Sequence, residues 1–335
     1  MYFRKFLYPF SILYDGITRL RNHAYDKGWK SSSEYETPII SVGNLSVGGT
    51  GKSPMVEYLV RFLKNDYQLA VLSRGYKRKS KGFHLVESLA TSEQVGDEPL
   101  QIKRKFPDIT VAVCADRREG IAALNKAELI ILDDAFQHRK VTPALSILLS
   151  SFDQLYLEDH VLPAGNLRES RKSAKRADVL IVTKCPENVS YAKLQEIQFR
   201  MRLLPHQQVY FTKIGYADYL LGDETKLPLS TLKDKKFTLV TGIAKPAPLV
   251  SFLKTKGFDF THEKFPDHHH FSEKEIASLQ KEQFILTTEK DYQRLADRID
   301  GPSLYYLPIE TLFLNESGEV FQKDVLKRLL DFRMS

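Results

Sequence analysis

The segment Ser46-Val-Gly-Gly-Thr-Gly-Lys-Ser53 sets Gly48, Gly49 and Gly51 just ahead of a Lys-Ser pair. Glycines at such a turn let backbone amides approach and curl around phosphate oxygens, helped by the positive end of the helix that follows. In that arrangement Lys52 reaches the outer phosphates of a nucleoside triphosphate and the Ser53 hydroxyl suits Mg²⁺. Ser46, Val47 and Thr50 complete the loop. The general phosphate-loop pattern carries glycine where this chain has Ser46. A second chemical element is Glu128-Leu-Ile-Ile-Leu-Asp-Asp134, an apolar run ending in acids, which would bring Asp133 or Asp134 beside that metal. Gln137 and His138 follow at the same strand end. Gly96-Asp-Glu-Pro99 opens a helical pattern in which Asp97 suits either a helix cap or a base. Phe265-Pro-Asp-His-His-His270 is the remaining polar cluster. Adjacent histidines do not share one face of a helix or strand, so zinc or nickel binding is disfavoured. A histidine paired with a carboxylate for proton transfer is better motivated.

These groups need a scaffold that gathers strand ends. Between residues 38 and 215, apolar runs at Pro38–Val42, Gln68–Ser73, Ile109–Cys114, Glu128–Leu132, Leu145–Leu149, Asp178–Thr183 and Gln208–Thr212 alternate with helical patterns. The helices are expected at Pro54–Asn65, Arg117–Ala127 and Tyr191–Arg202. Runs apolar on both faces belong in a parallel sheet, so a doubly wound, mostly parallel α/β domain with its ligand at the carboxyl strand ends is expected. Residues 221–236 are polar and turn-rich. They mark the edge of a smaller C-terminal α/β unit with strands at Phe237–Thr241, Phe284–Thr287 and Leu304–Pro308. The expected division is residues 1–30, an amino-terminal amphipathic segment; 31–225, a phosphate-loop core; and 226–335, the smaller unit.

With 335 residues, 42% of them hydrophobic, the chain can bury a sizeable core. Its net charge of +7 suits a phosphate-bearing substrate or an anionic membrane better than nucleic acid. Cys114 and Cys185, far apart in apolar surroundings, read as reduced core thiols. The amino terminus carries Phe6, Leu7, Phe10, Ile12, Leu13, Tyr14, Ile17 and Leu20 between Arg4, Lys5, Arg19, Arg21, Lys27 and Lys30. The apolar stretch is too short to span a bilayer and lacks a signal-peptide cleavage site. It suits a helix lying in a membrane interface, or one packed on its own domain.

Taken together and in order, these pieces resemble the tetraacyldisaccharide 4'-kinases, the lipid A 4'-kinases of Gram-negative bacteria. The resemblance runs through Gly43-Asn-Leu-Ser-Val-Gly-Gly-Thr-Gly-Lys-Ser-Pro54, Ser73-Arg-Gly-Tyr76, Gly96-Asp-Glu-Pro99, Cys114-Ala-Asp-Arg-Arg118 and Leu132-Asp-Asp-Ala-Phe-Gln-His138. It continues through Leu162-Pro-Ala-Gly-Asn-Leu-Arg-Glu169, Val182-Thr-Lys184, Gly242-Ile-Ala-Lys-Pro246, Phe265-Pro-Asp-His-His269 and Thr287-Thr-Glu-Lys-Asp291. Serine or threonine at the position of Ser46 belongs to that family's loop. The resemblance implies transfer of the ATP γ-phosphate, with Mg²⁺, to the 4'-hydroxyl of a lipid disaccharide 1-phosphate. It also implies a place on the cytoplasmic face of the inner membrane, with the amino-terminal segment on the membrane surface. No nucleic acid and no obligate protein partner are expected.

By the same resemblance Asp97 is the base, His268 its dyad partner and Lys52 the phosphate-binding lysine. Ser53, Asp133, Asp134 and Glu169 become the metal-site candidates. Tyr76 and Arg117 match positions near the sugar headgroup, and Gln137, His138 and Arg168 lie around the nucleotide phosphates. A phosphate-loop switch or carrier is the alternative. A GTPase of that kind should show Asn-Lys-x-Asp, and Val182-Thr-Lys-Cys185 lacks both the Asn and the Asp.

Overall fold

The computed structural model describes residues 6–223, 225–267, 269–299 and 304–334. His268, the proposed dyad partner, lies outside the described residues. The chain forms two compact units, one running to Ile214 and resuming at Thr311, the other spanning Gly215–Glu310.

The first unit opens with α1 (Tyr8–Asp26). Strands β1 (Ile39–Asn44), β2 (Leu69–Ser73), β3 (His84–Leu85), β4 (Thr110–Val113), β5 (Leu129–Asp133), β6 (Leu145–Ser151), β7 (Val179–Thr183) and β8 (Gln208–Tyr216) follow in order. Helices α2 (Lys52–Leu63), α3 (Ser92–Val95), α4 (Asp97–Lys105), α5 (Arg117–Ala123) and α6 (Tyr191–Met201) connect them. The second unit contributes β9 (Tyr219–Leu221), β10 (Lys226–Pro228), β11 (Phe237–Thr241), β12 (Phe260–Lys264), β13 (Ile285–Thr287) and β14 (Leu304–Tyr306). Its helices are α7 (Ala247–Thr255), α8 (Glu273–Leu279) and α9 (Glu289–Leu295). The chain then returns through β15 (Ile309–Phe313) into α10 (Gly318–Met334).

The sheet of the first unit has the order β15-β8-β7-β6-β1-β5-β2-β4-β3. From β8 to β4 every pairing is parallel, and β3 runs antiparallel to β4. Strands β1, β2, β5, β6 and β7 are buried along their whole length, as their two-faced apolar runs require. One face packs Val42, Ile131 and Ile147 against Val56, Leu59 and Leu63 of α2. The order puts β5 directly beside β1, with Val42 opposite Asp133, so the acidic strand end and the phosphate loop emerge together.

The carboxyl-terminal stretch corrects the expected division. Phe321, Val325 and Leu329 of α10, one helical face, are buried in the core of the first unit, so residues 311–334 do not belong to the smaller one. The amino-terminal segment is not a body apart either, since it is part of the first unit. Its helix is built inside out: Ser11, Thr18 and Asn22 form the buried stripe. Phe6, Phe10, Ile12, Leu13, Ile17 and Leu20 are all more than half exposed. Among the described residues no helix is long and apolar enough to cross a membrane. Both cysteines are free and buried.

In the second unit β12, β11, β13 and β14 are parallel neighbours, with β9 and β10 added antiparallel. Its motifs meet at Asp291, fully buried, whose carboxylate accepts bonds from the Gly242 amide (2.8 Å), the Thr288 hydroxyl (2.7 Å) and Arg294 (3.2 Å). His269 stacks on Phe265 and bonds Glu275 through Nε2 at 3.1 Å.

Candidate active site

The phosphate loop connects β1 to α2, with Gly51 as the residue before the helix in a left-handed conformation (φ 86°). A side chain is strained there, which is why glycine is required. The loop is braced from three sides. Asn44 donates to the Thr50 hydroxyl at 2.7 Å, and the Thr183 hydroxyl at the end of β7 donates to the Thr50 carbonyl at 2.8 Å. The Lys184 ammonium bonds the Gly49 carbonyl. Ser46 pairs antiparallel with Leu167, while the Val47 amide donates to the Asn166 carbonyl (2.8 Å) and the Arg168 amide to the Leu45 carbonyl (2.7 Å). The stretch Asn166–Arg168 is therefore bridged to residues 45–47 at the entrance of the loop. Thr183, Lys184 and Asn166 stand in motifs that carry the resemblance but take no role from it, because contacts this distant in the chain do not show in a motif.

Lys52 heads α2 and lies 3.6 Å from Asp134 Oδ1. The same carboxylate receives Arg168 Nη1 on both oxygens, at 3.0 and 3.1 Å. Arg168 also reaches Gln137 Oε1 (3.4 Å), and Gln137 Nε2 donates to the Asn44 carbonyl (2.8 Å). Lys52, Asp134, Arg168 and Gln137 thus form one polar cluster at the loop. Two of its members are cations that a polyphosphate could take over from Asp134.

Asp133 is buried at 3% exposure. Ser73 donates to its Oδ2 at 3.2 Å, while Oδ1 is buried with no partner. Burial, and then the neighbouring charges of Glu98 and Asp134, raise its carboxyl well above the usual range, against the opposing pull of Lys52 and Arg117. Glu98 stands 3.4 Å from the Ser53 hydroxyl. An orphaned carboxylate oxygen amid other carboxylates and a helix-start hydroxyl fits a divalent cation. Among the described residues no three acidic, histidine or cysteine side chains form a cage by themselves. That suits Mg²⁺, which keeps waters and substrate phosphates among its ligands.

Glu169 has a different job from the one expected. It is 1% exposed, with Oε1 bonded by Arg21 (3.1 Å) and Oε2 by Asn22 (2.8 Å) and Arg176 (3.0 Å). With both oxygens committed to α1 and to Arg176, it is no metal ligand in this arrangement, and Glu98 takes its place beside Ser53. Sequence reasoning passed over Glu98 although it stands in the Gly96-Asp-Glu-Pro99 motif, because a helix-start acid looks like a cap.

Arg117 also departs from expectation. It is 2% exposed and donates to the Cys114 carbonyl (2.7 Å) and the Asp133 carbonyl (3.1 Å). It ties the ends of β4 and β5 together instead of meeting a sugar. His138 leaves the cluster too. It lines a separate cavity of about 250 Å³ with Arg139 and Arg176, its Nε2 buried without a partner, and burial lowers its pKa to about 4.

Asp97 is the first residue of α4, exposed, and follows Gly96 (φ 93°), which occupies the N-cap position. Asp97 is thus an acid of the first turn and not the N-cap residue itself. A Cβ built on Gly96 would lie 3.3 Å from Gly75 Cα and from the Tyr76 carbonyl, so the Ser73–Tyr76 loop rests directly on the turn that presents Asp97. Tyr76 is 75% exposed beside it.

A glycine loop leading from a parallel strand into a helix, flanked by an acidic strand end, defines a phosphate-loop α/β nucleotide-binding protein. Residues 3–330 match the family model described as tetraacyldisaccharide-1-P 4'-kinase. The chain is 49% identical over 319 residues to the tetraacyldisaccharide 4'-kinase of Flavobacterium johnsoniae, covering 93% of each protein. It is 43% identical over 344 residues to the protein of the same name from Phocaeicola vulgatus, covering 96% of this chain and 94% of that one. Among solved structures it is similar to LpxK from Aquifex aeolicus in complex with ATP, with a TM-score of 0.78 and 34% identity over 98% of this chain and 99% of that one. The chain belongs to the tetraacyldisaccharide 4'-kinase family and is a kinase of lipid A biosynthesis.

Proposed function

We propose that the protein transfers the γ-phosphate of ATP to the 4'-hydroxyl of a tetraacyldisaccharide 1-phosphate, forming the bisphosphorylated lipid A precursor. The observation that carries this reading is the placing of Lys52, Arg168 and the Asp133–Asp134 strand end around one phosphate loop. Residues 46–53 wrap the triphosphate, Lys52 and Arg168 neutralise its outer phosphates, and Gln137 orients Arg168. Such transfers need positioning and charge neutralisation more than covalent chemistry. Mg²⁺ would be held by Ser53 and Asp133 with Glu98 and Asp134 close by, and when bound it withdraws charge from the transferred phosphate. Asp97 takes the proton of the sugar hydroxyl, with His268 as its proposed partner, and Tyr76 borders the headgroup.

The reaction takes place at the cytoplasmic face of the inner membrane, with α1 lying on the lipid. Support comes from its exposed apolar residues, an area of a kind that monomeric soluble proteins seldom leave open. Arg19 and Arg21 are not lipid contacts in this reading: Arg19 pairs with Asp15 at 2.7 Å and Arg21 turns inward to Glu169.

The test is Asp97→Ala. Catalysis should fall by roughly 10²–10⁴-fold while Mg-ATP affinity is retained, since general-base removal acts on the transition state. Loss of ATP affinity instead would move Asp97 into the metal site and overturn the assignment.

A further inference from the structure

The polar side chains of α1 do more than mount a helix. Ser11 Oγ accepts the Ala164 amide at 2.8 Å, the Tyr14 hydroxyl donates to the Arg168 carbonyl at 3.2 Å, and Arg21 and Asn22 hold the two oxygens of Glu169. All four contacts fall on residues 164–169, the stretch that runs along the phosphate loop and carries Arg168. From Glu169 a second path leads through Arg176, which donates to the Phe136 carbonyl at 3.3 Å and lies over the Phe136 ring. Asp134 is thus bracketed: Arg168 bonds its carboxylate, and Arg176 fixes the turn two residues beyond it.

We propose that Arg21 and Asn22 of α1 are positioning residues for the nucleotide site, acting through Glu169 to hold the Arg168 guanidinium beside Lys52. A buried carboxylate between two arginines is rigid only while every partner is present. With the Arg21 and Asn22 donors gone, Glu169 is left to Arg176 alone, and the backbone that carries Arg168 keeps its bonds to Leu45 and Tyr14 but loses the anchor on its carboxyl side. The helix whose apolar face is turned outward is, on its other face, part of the ATP site. The inference rests on reading Lys52 and Arg168 as the phosphate-binding cations.

The test uses the full chain and measures Mg-ATP affinity together with partition onto vesicles of phosphatidylethanolamine and phosphatidylglycerol. Arg21→Ala and Asn22→Ala should each weaken ATP binding by about tenfold or more, the range found when groups that orient a ligating side chain are removed. Vesicle partition should stay unchanged, because the outward apolar residues are untouched, and Arg21→Lys should restore part of the loss. In an Arg168→Ala background the same substitutions should cost no further ATP affinity, since they act through that side chain. Losses that simply add to that of Arg168→Ala, or ATP affinity unchanged while vesicle partition falls, would overturn the inference. Lys52→Ala separates the two levels. If it leaves ATP binding intact, the reading of the site itself fails; if it abolishes binding while Asn22→Ala and Arg21→Ala are neutral, only the positioning role fails.

Discussion

Gly43, at the end of β1, is required by space and not by backbone angle. A Cβ built there would meet Phe136 Cβ at 2.6 Å, its amide nitrogen at 2.8 Å and its Cα at 3.3 Å. To reach an ordinary 3.4 Å contact the Phe136 turn must retreat by about 0.8 Å, and a close-packed interior offers nowhere cheap to go. That turn is pinned by the Ala135 amide on the Val42 carbonyl (3.3 Å) and by Arg176 on the Phe136 carbonyl (3.3 Å). The displacement therefore passes to Asp134 and Gln137, which hold Arg168 and the loop. Gly43→Ala should destabilise the protein by about 1–3 kcal/mol, the usual cost of overpacking. A misplacement on the order of 1 Å can cost about 10²-fold in rate. Phosphoryl transfer should therefore fall by one to two orders of magnitude, measured as kcat/KM for ATP, with a lower unfolding midpoint. Gly16→Ala is the control, because nothing lies within 4 Å of its Cβ and it sits inside α1; it should leave kcat/KM unchanged and should not lower the unfolding midpoint. Wild-type kcat/KM in Gly43→Ala would refute the argument that this turn positions the site.

Two further outcomes follow from the site and from α1. The Asp133 carboxyl is raised from 3.8 to about 7, first by burial and then by Glu98 and Asp134. Without a divalent cation its contribution to stability is full below the unfolded value near 4 and is lost as pH rises through about 7. A cation favours the ionised form, so the rise in unfolding midpoint on adding Mg²⁺ should grow between about pH 6 and pH 8. Asp133→Asn should flatten that growth; a pH-independent Mg²⁺ effect in the wild type would contradict the placement. For α1, replacing Ile12, Leu13, Ile17 and Leu20 together by serine should lower sedimentation with anionic vesicles by about tenfold or more. Each apolar side chain entering the lipid boundary contributes on the order of 1 kcal/mol. Equal sedimentation would remove the lipid surface as the destination of that face.

The phosphate loop was legible because its function needs a particular spacing of glycines, and the parallel strands because burial on both faces leaves unbroken apolar runs. What the sequence could not display was which acid meets which cation. Glu98 and Glu169 are both acids within motifs; one stands beside Ser53 and the other is consumed by Arg21, Asn22 and Arg176. Arg117 at a helix start looks like a surface charge until packing places its guanidinium on two strand-end carbonyls. The apolar spacing of Phe321, Val325 and Leu329 announces a helix but not its destination, since a return to the first unit depends on contacts made far along the chain. The amino-terminal helix was readable as basic and aromatic, yet the polar stripe that carries its inward contacts is the reverse of the usual pattern.

The central claim is phosphoryl transfer to a lipid, and product analysis tests it most directly. Purified full-length protein, given detergent-dispersed tetraacyldisaccharide 1-phosphate and Mg-ATP, should yield a lipid carrying one additional phosphoryl group at the 4' position, with one ADP formed per product. Nucleotide turnover without any phosphorylated lipid would contradict the account.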